Sequence, residues 1–321
     1  PPTPTQGRGS LSATPRRRGQ QPPCSYEQLD GRAGNDYIDG RGVYDFASYN
    51  TDPATTSGIV VNMAAGIVTG DATVGTDTLR HVEGVRGTNF ADAYDATGFS
   101  GSSINAGSSG TFNNFDGQGG DDTIIGNGNT RIQYSNSTAA VNVDFVLGTA
   151  SGDASVGTDH FTGVNAVMGS MFGDTLKGSG NNETFMGLAG NDFIDGRGGF
   201  DIAQYNNMTY TTGPISVDLV DGIVTGDASN GVDTLRSIEG IQGTNFADSF
   251  DATNFGAAGY LNAALYNVGN FGTSNQFEGL GGDDTITGNG NTRLIYASST
   301  GAVTINMAAG TADGDASVGH D

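Results

Sequence analysis

Apolar and polar residues alternate in several short stretches of this chain. The clearest are VVNM at 60–63, VNVDF at 141–145, ISVDL at 215–219 and VTINM at 303–307. A period of two predicts β-strands with one face buried. No stretch sustains the spacing of three and four residues that marks an amphipathic helix. The pattern therefore predicts an all-β protein.

The same strands recur because the chain contains a long internal repeat. Residues 34–50 reappear at 190–206, and residues 66–97 reappear at 222–253, both at an offset of 156. Residues 119–131 match 281–293 at an offset of 162, so the second copy has gained six residues. We expect one long repeat of two half-repeats at 25–180 and a second at 181–321, truncated at its C-terminal end. Residues 1–24 are rich in Pro and Arg and lie outside the repeat, which indicates a disordered leader or a foreign junction.

A shorter repeat of nine residues lies inside the long one. Residues 169–204 divide into GSMFGDTLK, GSGNNETFM, GLAGNDFID and GRGGFDIAQ. Glycine holds position one, where it lets the backbone turn tightly through positive φ. Position six is Asp174, Glu183, Asp192 and Asp201, and position eight is Leu176, Phe185, Ile194 and Ala203. This spacing predicts a turn that carries one carboxylate, followed by a short strand with its central side chain inward.

Charge and composition favour a bound cation at these turns. The chain has 35 Asp and Glu residues against 13 Lys and Arg residues, a formal net charge of −22, which also argues against a nucleic-acid partner. Carboxylates and turn carbonyls are hard oxygen ligands that suit Ca²⁺. Cys24 is the only cysteine, so an intrachain disulfide is excluded and bound Ca²⁺ could serve as the staple. No apolar run approaches the length of a membrane span.

These nonapeptides resemble the RTX, or hemolysin-type, calcium-binding repeat G-G-x-G-x-D-x-U-x. The match is strongest at 31–48, 117–125, 169–204 and 279–287. The resemblance implies a right-handed parallel β-roll or β-solenoid, with Ca²⁺ between turns stacked one coil apart and with irregular inserted loops. It implies the metal-ligating residues Glu27, Gly31, Asp36, Asp45, Asp122, Gly169, Asp174, Glu183, Gly187, Asp192, Gly196, Asp201 and Asp284.

Two nonapeptides per coil imply that residues two nonapeptides apart share one site. Under this stacking rule acids meet in the pairs Asp174–Asp192, Glu183–Asp201 and Glu27–Asp45. Asp122 and Asp284 have no acid one coil earlier, which predicts weaker sites. Arg131 and Arg293 hold position six in their nonapeptides and fall one coil after Asn113 and Asn275. Since a guanidinium has no acceptor atom, we expect those two turns to be free of metal.

Other recurring features have plainer explanations. Each GDASVGTD-type loop, at 70–77, 152–159, 226–233 and 314–321, has two acids that we interpret as turn-forming rather than metal-binding. Tyr49, Tyr134, Tyr205 and Tyr296 recur at equivalent places and are interpreted as packing residues. With three histidines, no HExxH and no GxSxG, the chain offers no catalytic constellation, and we expect it not to be an enzyme.

The sequence thus favours a calcium-binding structural segment of a secreted, extracellular bacterial RTX-like exoprotein or adhesin that folds on binding calcium outside the cell. Ca²⁺ is the expected cofactor and partner, and a cell-surface or polysaccharide ligand is left open. Two alternatives remain. The segment could be the RTX-type tail of a secreted hydrolase, or it could be a polysaccharide-active β-helix enzyme.

Overall fold

The fold is built from many short strands. The computed structural model describes residues 10–12, 27–42, 44–207 and 209–321, and within these ranges it contains strands and turns but no helix. No helix in these ranges could cross a membrane. The described chain forms two compact units. Unit 1 comprises the residues up to Thr138 together with Gly148–Ala166, and unit 2 comprises Ala139–Leu147 and Val167–Asp321.

The strands are numbered in chain order. The first fifteen are β1 Ser10–Ser12, β2 Glu27–Leu29, β3 Tyr37–Asp39, β4 Asp45–Ser48, β5 Val60–Asn62, β6 Ile67–Thr69, β7 Thr76–Arg80, β8 Gly84–Arg86, β9 Ala93–Asp95, β10 Asn113–Asp116, β11 Thr123–Ile125, β12 Thr130–Gln133, β13 Asn142–Asp144, β14 Thr149–Ser151 and β15 Thr158–Thr162. The remaining fifteen are β16 Ala166–Met168, β17 Thr175–Lys177, β18 Thr184–Met186, β19 Phe193–Asp195, β20 Ile202–Gln204, β21 Ser216–Asp218, β22 Ile223–Thr225, β23 Val232–Arg236, β24 Gly240–Gln242, β25 Ser249–Asp251, β26 Asn275–Glu278, β27 Thr285–Thr287, β28 Thr292–Leu294, β29 Thr304–Asn306 and β30 Thr311–Asp313.

Parallel pairing dominates both units. In unit 1 one sheet pairs β2, β4, β8, β10 and β12 in parallel, and the other contains the parallel pairs β3–β7, β5–β9, β9–β11 and β11–β15. In unit 2 one sheet pairs β18, β20, β24, β26 and β28, and the other contains β13–β17, β17–β19, β19–β23, β21–β25 and β25–β27. Short, regularly spaced strands in long parallel sheets are consistent with a β-solenoid or roll, as the repeats predict.

The chain does not add its coils in simple succession. β7 pairs with β3, and β6 and β5 follow it antiparallel before β9 resumes the parallel order. In unit 2, β23, β22 and β21 repeat this arrangement between β19 and β25. Each GDASVGTD-type loop of these meanders is the tight connection between its second and third strands. The nonapeptide pattern alone did not predict this antiparallel insertion.

The core is made by one inward side chain per strand. Leu176, Phe185, Ile194 and Ala203, the position-eight residues, are almost fully buried in the middle of β17 to β20. Equivalent central residues in unit 1 include Val61 and Ile124. Because alternate strand residues point to opposite faces, the flanking residues of these three-residue strands are more exposed. Since only the central residue of each of these strands lies in the core, the acid just before a strand is still part of the turn.

Little of the N-terminal stretch is described. Within 1–24 the structure describes Ser10–Ser12, which pair in parallel with β3 as Ser10 with Tyr37. The other residues of the expected leader, Cys24 among them, lie outside the described ranges. The expected division of the chain at residue 180 stays a prediction.

Position two of many turns adopts a left-handed backbone without being glycine. Arg32, Gln118, Leu188 and Leu280 have φ of 59°, 67°, 74° and 73°. The turn keeps the conformation that a Gly-Gly sequence would supply, although a side chain there costs about 1 kcal/mol. Position-one glycines such as Gly187 do not have positive φ, so the turn places its left-handed residue one position later than the sequence suggested.

Arg32→Gly tests this strain. Arg32 is exposed, and its N–H donates to Asp30 Oδ1 at 2.9 Å, a bond that glycine keeps. We expect the variant to raise the free energy of unfolding by about 0.5–1 kcal/mol. Ala33→Gly, at the adjacent residue without positive φ, should lower it by a similar amount. Chemical denaturation of both variants measures the difference, and two changes of the same sign would contradict the interpretation.

Candidate metal centre

The acids that precede the parallel strands stack through one repeated hydrogen bond. The backbone N–H of Asp174 donates to Asp192 Oδ1 at 2.7 Å, and the N–H of Asp192 donates to Asp233 Oδ1 at 2.9 Å. Since paired strands lie about 4.8 Å apart, the bond sets successive carboxylates side by side. We call such a series a carboxylate ladder.

The ladder recurs in both units. Further ladders joined by the same bond are Asp92–Asp122–Asp159 and Asp36–Asp77 in unit 1 and Asp248–Asp284–Asp321 in unit 2. The other sheet of each unit has a Glu–Asp–Glu ladder, namely Glu27–Asp45–Glu83 in unit 1 and Glu183–Asp201–Glu239 in unit 2. Apart from Glu27 and Asp321, every one of these acids is buried. The structure therefore concentrates acidic groups where water is largely excluded.

In one class of turn, the residue at position two donates hydrogen bonds to both oxygens of the carboxylate at position six, and we call such an acid closed. Ser170 donates to Asp174 twice, from its N–H to Oδ2 at 2.6 Å and from its hydroxyl to Oδ1 at 2.6 Å. Thr88 makes the same two contacts with Asp92, and Thr244 makes them with Asp248. In each case a hydroxyl residue at position two satisfies the acid at position six.

The other class of turn leaves one carboxylate oxygen open. Asp122, Asp192 and Asp284 follow turns whose position two is Gln118, Leu188 or Leu280, side chains that do not bond the acid. Oδ1 of each acid accepts the N–H of the acid before it, while Oδ2 is buried and has no hydrogen-bond partner. Burying an unpaired charged oxygen is costly, so these three atoms require a proton or a cation.

Glycine at position one makes room for this oxygen. A Cβ on Gly187 would lie 2.0 Å from Asp192 Oδ2, and one on Gly117 would lie 1.9 Å from Asp122 Oδ2. Gly169 is similarly placed, with 2.2 Å to Asp174 Oδ2. The first glycine of the repeat is thus required by the close approach of the carboxylate rather than by positive φ.

Burial and neighbouring acids make the open carboxylates reluctant to ionise. Burial, followed by the charge of Asp159, raises the pKa of Asp122 to about 9. Burial and then Asp233 raise the pKa of Asp192 to about 8. The self-closed Asp174 is less affected, its pKa being raised by burial to about 6. Among the described residues, no ion pair involves Asp122, Asp192 or Asp284, so the protein supplies no countercharge of its own.

The second acid of each GDASVGTD-type loop belongs to a ladder, which corrects our interpretation of these loops as turns only. Asp77, Asp159 and Asp233 are buried and follow Asp36, Asp122 and Asp192 in their ladders. The first acid is the turn former. Asp227 is exposed and accepts bonds from the N–H and hydroxyl of Ser229. The two acids of one loop therefore have different roles.

The recurring tyrosines lie beside these loop acids. The hydroxyl of Tyr134 donates to Asp159 Oδ2 at 2.9 Å, and the ring is buried. Tyr49, Tyr205 and Tyr296 lie beside Asp77, Asp233 and Asp321, the last acids of the other Asp ladders. They are buried or partly buried, as packing residues would be, but each also brings a polar group to the end of a ladder.

Sequence analysis missed Glu83 and Glu239. Glu83 accepts the N–H of Asp45 at 3.0 Å and that of Ser108, in the loop before β10, at 2.9 Å. Glu239 does the same for Asp201 and Asn270. Neither has a glycine five residues before it, so the nonapeptide pattern does not find them. The available signal was that both follow the long repeat, at the same offset of 156 that relates Glu27 to Glu183.

The predicted stacking of the two arginines is wrong by one residue. Arg131 pairs with Asn114 and Thr130 pairs with Asn113, because the turn before β12 is one residue shorter. Thr130 takes the place of the acid, and its hydroxyl donates to Asn113 Oδ1 at 2.8 Å. The turn before β28 repeats this, with Arg293 opposite Gln276 and Thr292 opposite Asn275. The position that carries an acid in the other turns is neutral in both of these turns, and the arginine lies beside it.

The expected lack of a stacked acid at Asp122 and Asp284 is also wrong. The stacking rule of two nonapeptides per coil fails there because inserted segments separate neighbouring strands. Asp122 lies between Asp92 and Asp159, and Asp284 lies between Asp248 and Asp321. The pairs Asp174–Asp192, Glu183–Asp201 and Glu27–Asp45 lie where the rule puts them.

Metal binding by the predicted residues stays a prediction. No group of three or more His, Cys, Asp or Glu side chains in the part of the chain that the structure describes could hold a metal ion. A cation on a ladder would therefore have at most two carboxylates and would need backbone oxygens from the turns, which carry Gly31, Gly169, Gly187 and Gly196 at position one.

Comparison with models of protein families and with curated proteins gives no match. The resemblance to RTX repeats consequently depends on the nonapeptides themselves.

Tyr134→Phe should destabilise unit 1. The change leaves an oxygen of the buried Asp159 without its donor, which costs about 1–3 kcal/mol. Tyr37→Phe is the control, because the Tyr37 ring is 43% exposed and only its hydroxyl is removed. Thermal or urea unfolding compares the variants. Equal stability of Tyr134→Phe and wild type would show that this bond does not contribute.

The raised pKa values predict a dependence of stability on pH in the presence of a chelator. Asp122 and Asp192 have folded pKa values near 9 and 8, against about 4 in an unfolded chain. The folded state then binds more protons, so their contribution is fully present below about pH 4 and is lost as pH rises through 8 to 9. We expect the urea midpoint in chelator to decrease as pH rises from 5, until near pH 8 the chain without calcium is mostly unfolded. A midpoint that rises over this range would contradict the burial of these acids.

Proposed function

We propose that this chain is a calcium-binding structural segment of a secreted RTX-like exoprotein or adhesin, and that calcium binding drives its folding. The observation that carries the proposal is the open Oδ2 of Asp122, Asp192 and Asp284. Each is a buried carboxylate oxygen without a hydrogen-bond partner and adjacent to further acids, and none of these three acids forms an ion pair with another described residue.

The donor set favours a hard divalent cation. Carboxylate and backbone oxygens are the available ligands, and both suit Ca²⁺ better than softer metals. The negative charge of neighbouring acids favours the protonated form of Asp122 or Asp192. A divalent ion between two ladder acids would offset that charge and so stabilise the ionised carboxylates. Mg²⁺ is less suited, since it gives up its water reluctantly and requires tighter octahedral geometry. Asp122, Asp192 and Asp284 would hold the ion together with neighbouring ladder acids.

The charge of the whole chain supports coupling between binding and folding. With a formal net charge of −22, the compact state without metal brings many acids together. Binding energy that is available only to the folded state then becomes folding energy. At the millimolar calcium concentrations typical of extracellular modules, weak sites of this kind would be filled. This behaviour fits a bacterial protein that leaves the cell loosely structured and folds outside.

The proposal predicts a calcium-dependent transition to β-structure. In excess chelator at pH 8 the far-ultraviolet circular dichroism should indicate a mostly unfolded chain, and millimolar CaCl₂ should restore the strand signal while MgCl₂ restores much less. Identical spectra in chelator and in calcium would exclude calcium-driven folding.

A matched pair of variants locates the effect. Asp192→Asn removes the charge of an open ladder acid and should weaken calcium binding by about tenfold or more, since one charged ligand is worth at least about 1.4 kcal/mol. Asp227→Asn changes an exposed acid of the loop before β23 and should bind like the wild type. Isothermal titration calorimetry measures both. Equal losses of affinity in the two variants would show that the ladder acid contributes no more to calcium binding than an exposed loop acid does.

A further inference from the structure

Three turns share a sequence that departs from the repeat at position two. They read GTNFAD at 87–92, GSMFGD at 169–174 and GTNFAD at 243–248, a glycine, a hydroxyl residue, any residue, Phe, a small residue and Asp. Ser179 is a fourth hydroxyl residue at position two, in GSGNNE at 178–183. The hydroxyl residues therefore recur at one place in the turn.

The hydroxyl residue and the left-handed residue exclude one another. Ser170 and Ser179 do not have positive φ, whereas Leu188 and Arg197 in the next two turns have φ of 74° and 61°. With a hydroxyl at position two the N–H faces the acid of the same turn, and both Ser170 and Ser179 bond that acid through N–H and hydroxyl. With a left-handed residue at this place, the acid receives no bond from position two.

Each three-Asp ladder begins with a turn of the hydroxyl class and continues with one of the open class. Asp174 is closed by Ser170, and Asp192 above it has an open Oδ2. The closed acid has a second task, because its Oδ1 also accepts the N–H of Val141, the residue before β13. Asp92 and Asp248 accept the N–H of Ile59 and Ile215, before β5 and β21, in the same way. The hydroxyl turns thus support the strands at which the inserted meanders join the sheet.

We infer that the position-two hydroxyl is a built-in substitute for calcium. Thr88, Ser170, Ser179 and Thr244 make their turns independent of metal, whereas turns with a left-handed residue at position two require an ion. This inference depends on the proposed function, and it specifies which turns carry the metal. It assigns calcium to the turns of Asp122, Asp192, Asp201 and Asp284, in which position two is left-handed and Oδ2 of the acid has no hydrogen-bond partner. It excludes Asp92 and Asp248 as sites that need calcium.

The exchange of one class for the other tests the inference. Gln118→Thr converts the turn before Asp122 to the hydroxyl class. The side chain is partly exposed, and its replacement also removes its hydrogen bonds with Asp116 Oδ1 and Asn50 Nδ2. We expect this variant to bind one Ca²⁺ fewer per chain. Ser170→Gly does the reverse, since it removes the hydroxyl and permits positive φ, and we expect one Ca²⁺ more. Ser298→Gly, at an exposed serine outside these turns, should bind as the wild type does.

Calcium per chain is measured by equilibrium dialysis with atomic absorption, and local order is measured by hydrogen exchange at a calcium concentration below saturation, where the wild type is still folded. Under that condition Gln118→Thr should gain protection at 117–125, and Ser170→Gly should lose protection at 169–177 by about tenfold or more. Should Ser170→Gly fold poorly, Gln118→Thr alone decides. Calcium binding by the wild type with an unchanged stoichiometry in Gln118→Thr would overturn the inference and leave the proposed function standing. A wild type that binds no calcium would overturn both.

Discussion

The bond from a backbone N–H to the carboxylate of the next acid determines much of this structure. It fixes the register of neighbouring turns, because each acid must lie beside the acid of the adjacent strand. It also forces acidic side chains together at about the spacing of paired strands. In Asp174–Asp192–Asp233 this places three buried carboxylates in a row. The same bond that aligns the turns therefore creates the electrostatic cost that a hydroxyl, a tyrosine, a proton or a cation must offset.

Different groups offset this electrostatic cost at different positions along a ladder. Asp174 is stabilised locally by hydrogen bonds from Ser170, and Asp159 receives the hydroxyl of Tyr134. Middle acids such as Asp192 keep an oxygen without a partner. A chain that placed a metal ligand at every turn would depend entirely on its ions. Hydrogen bonds from Ser170 to Asp174 leave fewer carboxylate oxygens in the ladder that need a proton or a cation.

Sequence reasoning succeeded where the repeat is uninterrupted. Alternation predicted the strands around Val61 and Val217, and the nonapeptides predicted the inward side chains of β17 to β20 and the pair Asp174–Asp192. It failed wherever neighbours in the sheet are distant in sequence. Asp233 follows Asp192 in its ladder although a whole meander separates them, and Glu83 lies in no recognisable nonapeptide. Fixed spacing carries no information about how an insertion returns to the sheet, and a turn shorter by one residue moved Arg131 from its expected place.

The meander has a consequence for the order in which strands can assemble. On the side where the next coil is added, β3 pairs with β7, and Tyr37 lies opposite Thr78 although β4, β5 and β6 come between them in sequence. When β5 and β6 have been synthesised, this edge of β3 is still unpaired. The hairpin of β5 and β6 cannot join the sheet until its pairing partners β7 and β9 have been synthesised. A plain solenoid can grow and melt one coil at a time. Here closure of a longer loop must precede the next coil, which slows nucleation and links several strands into one cooperative step.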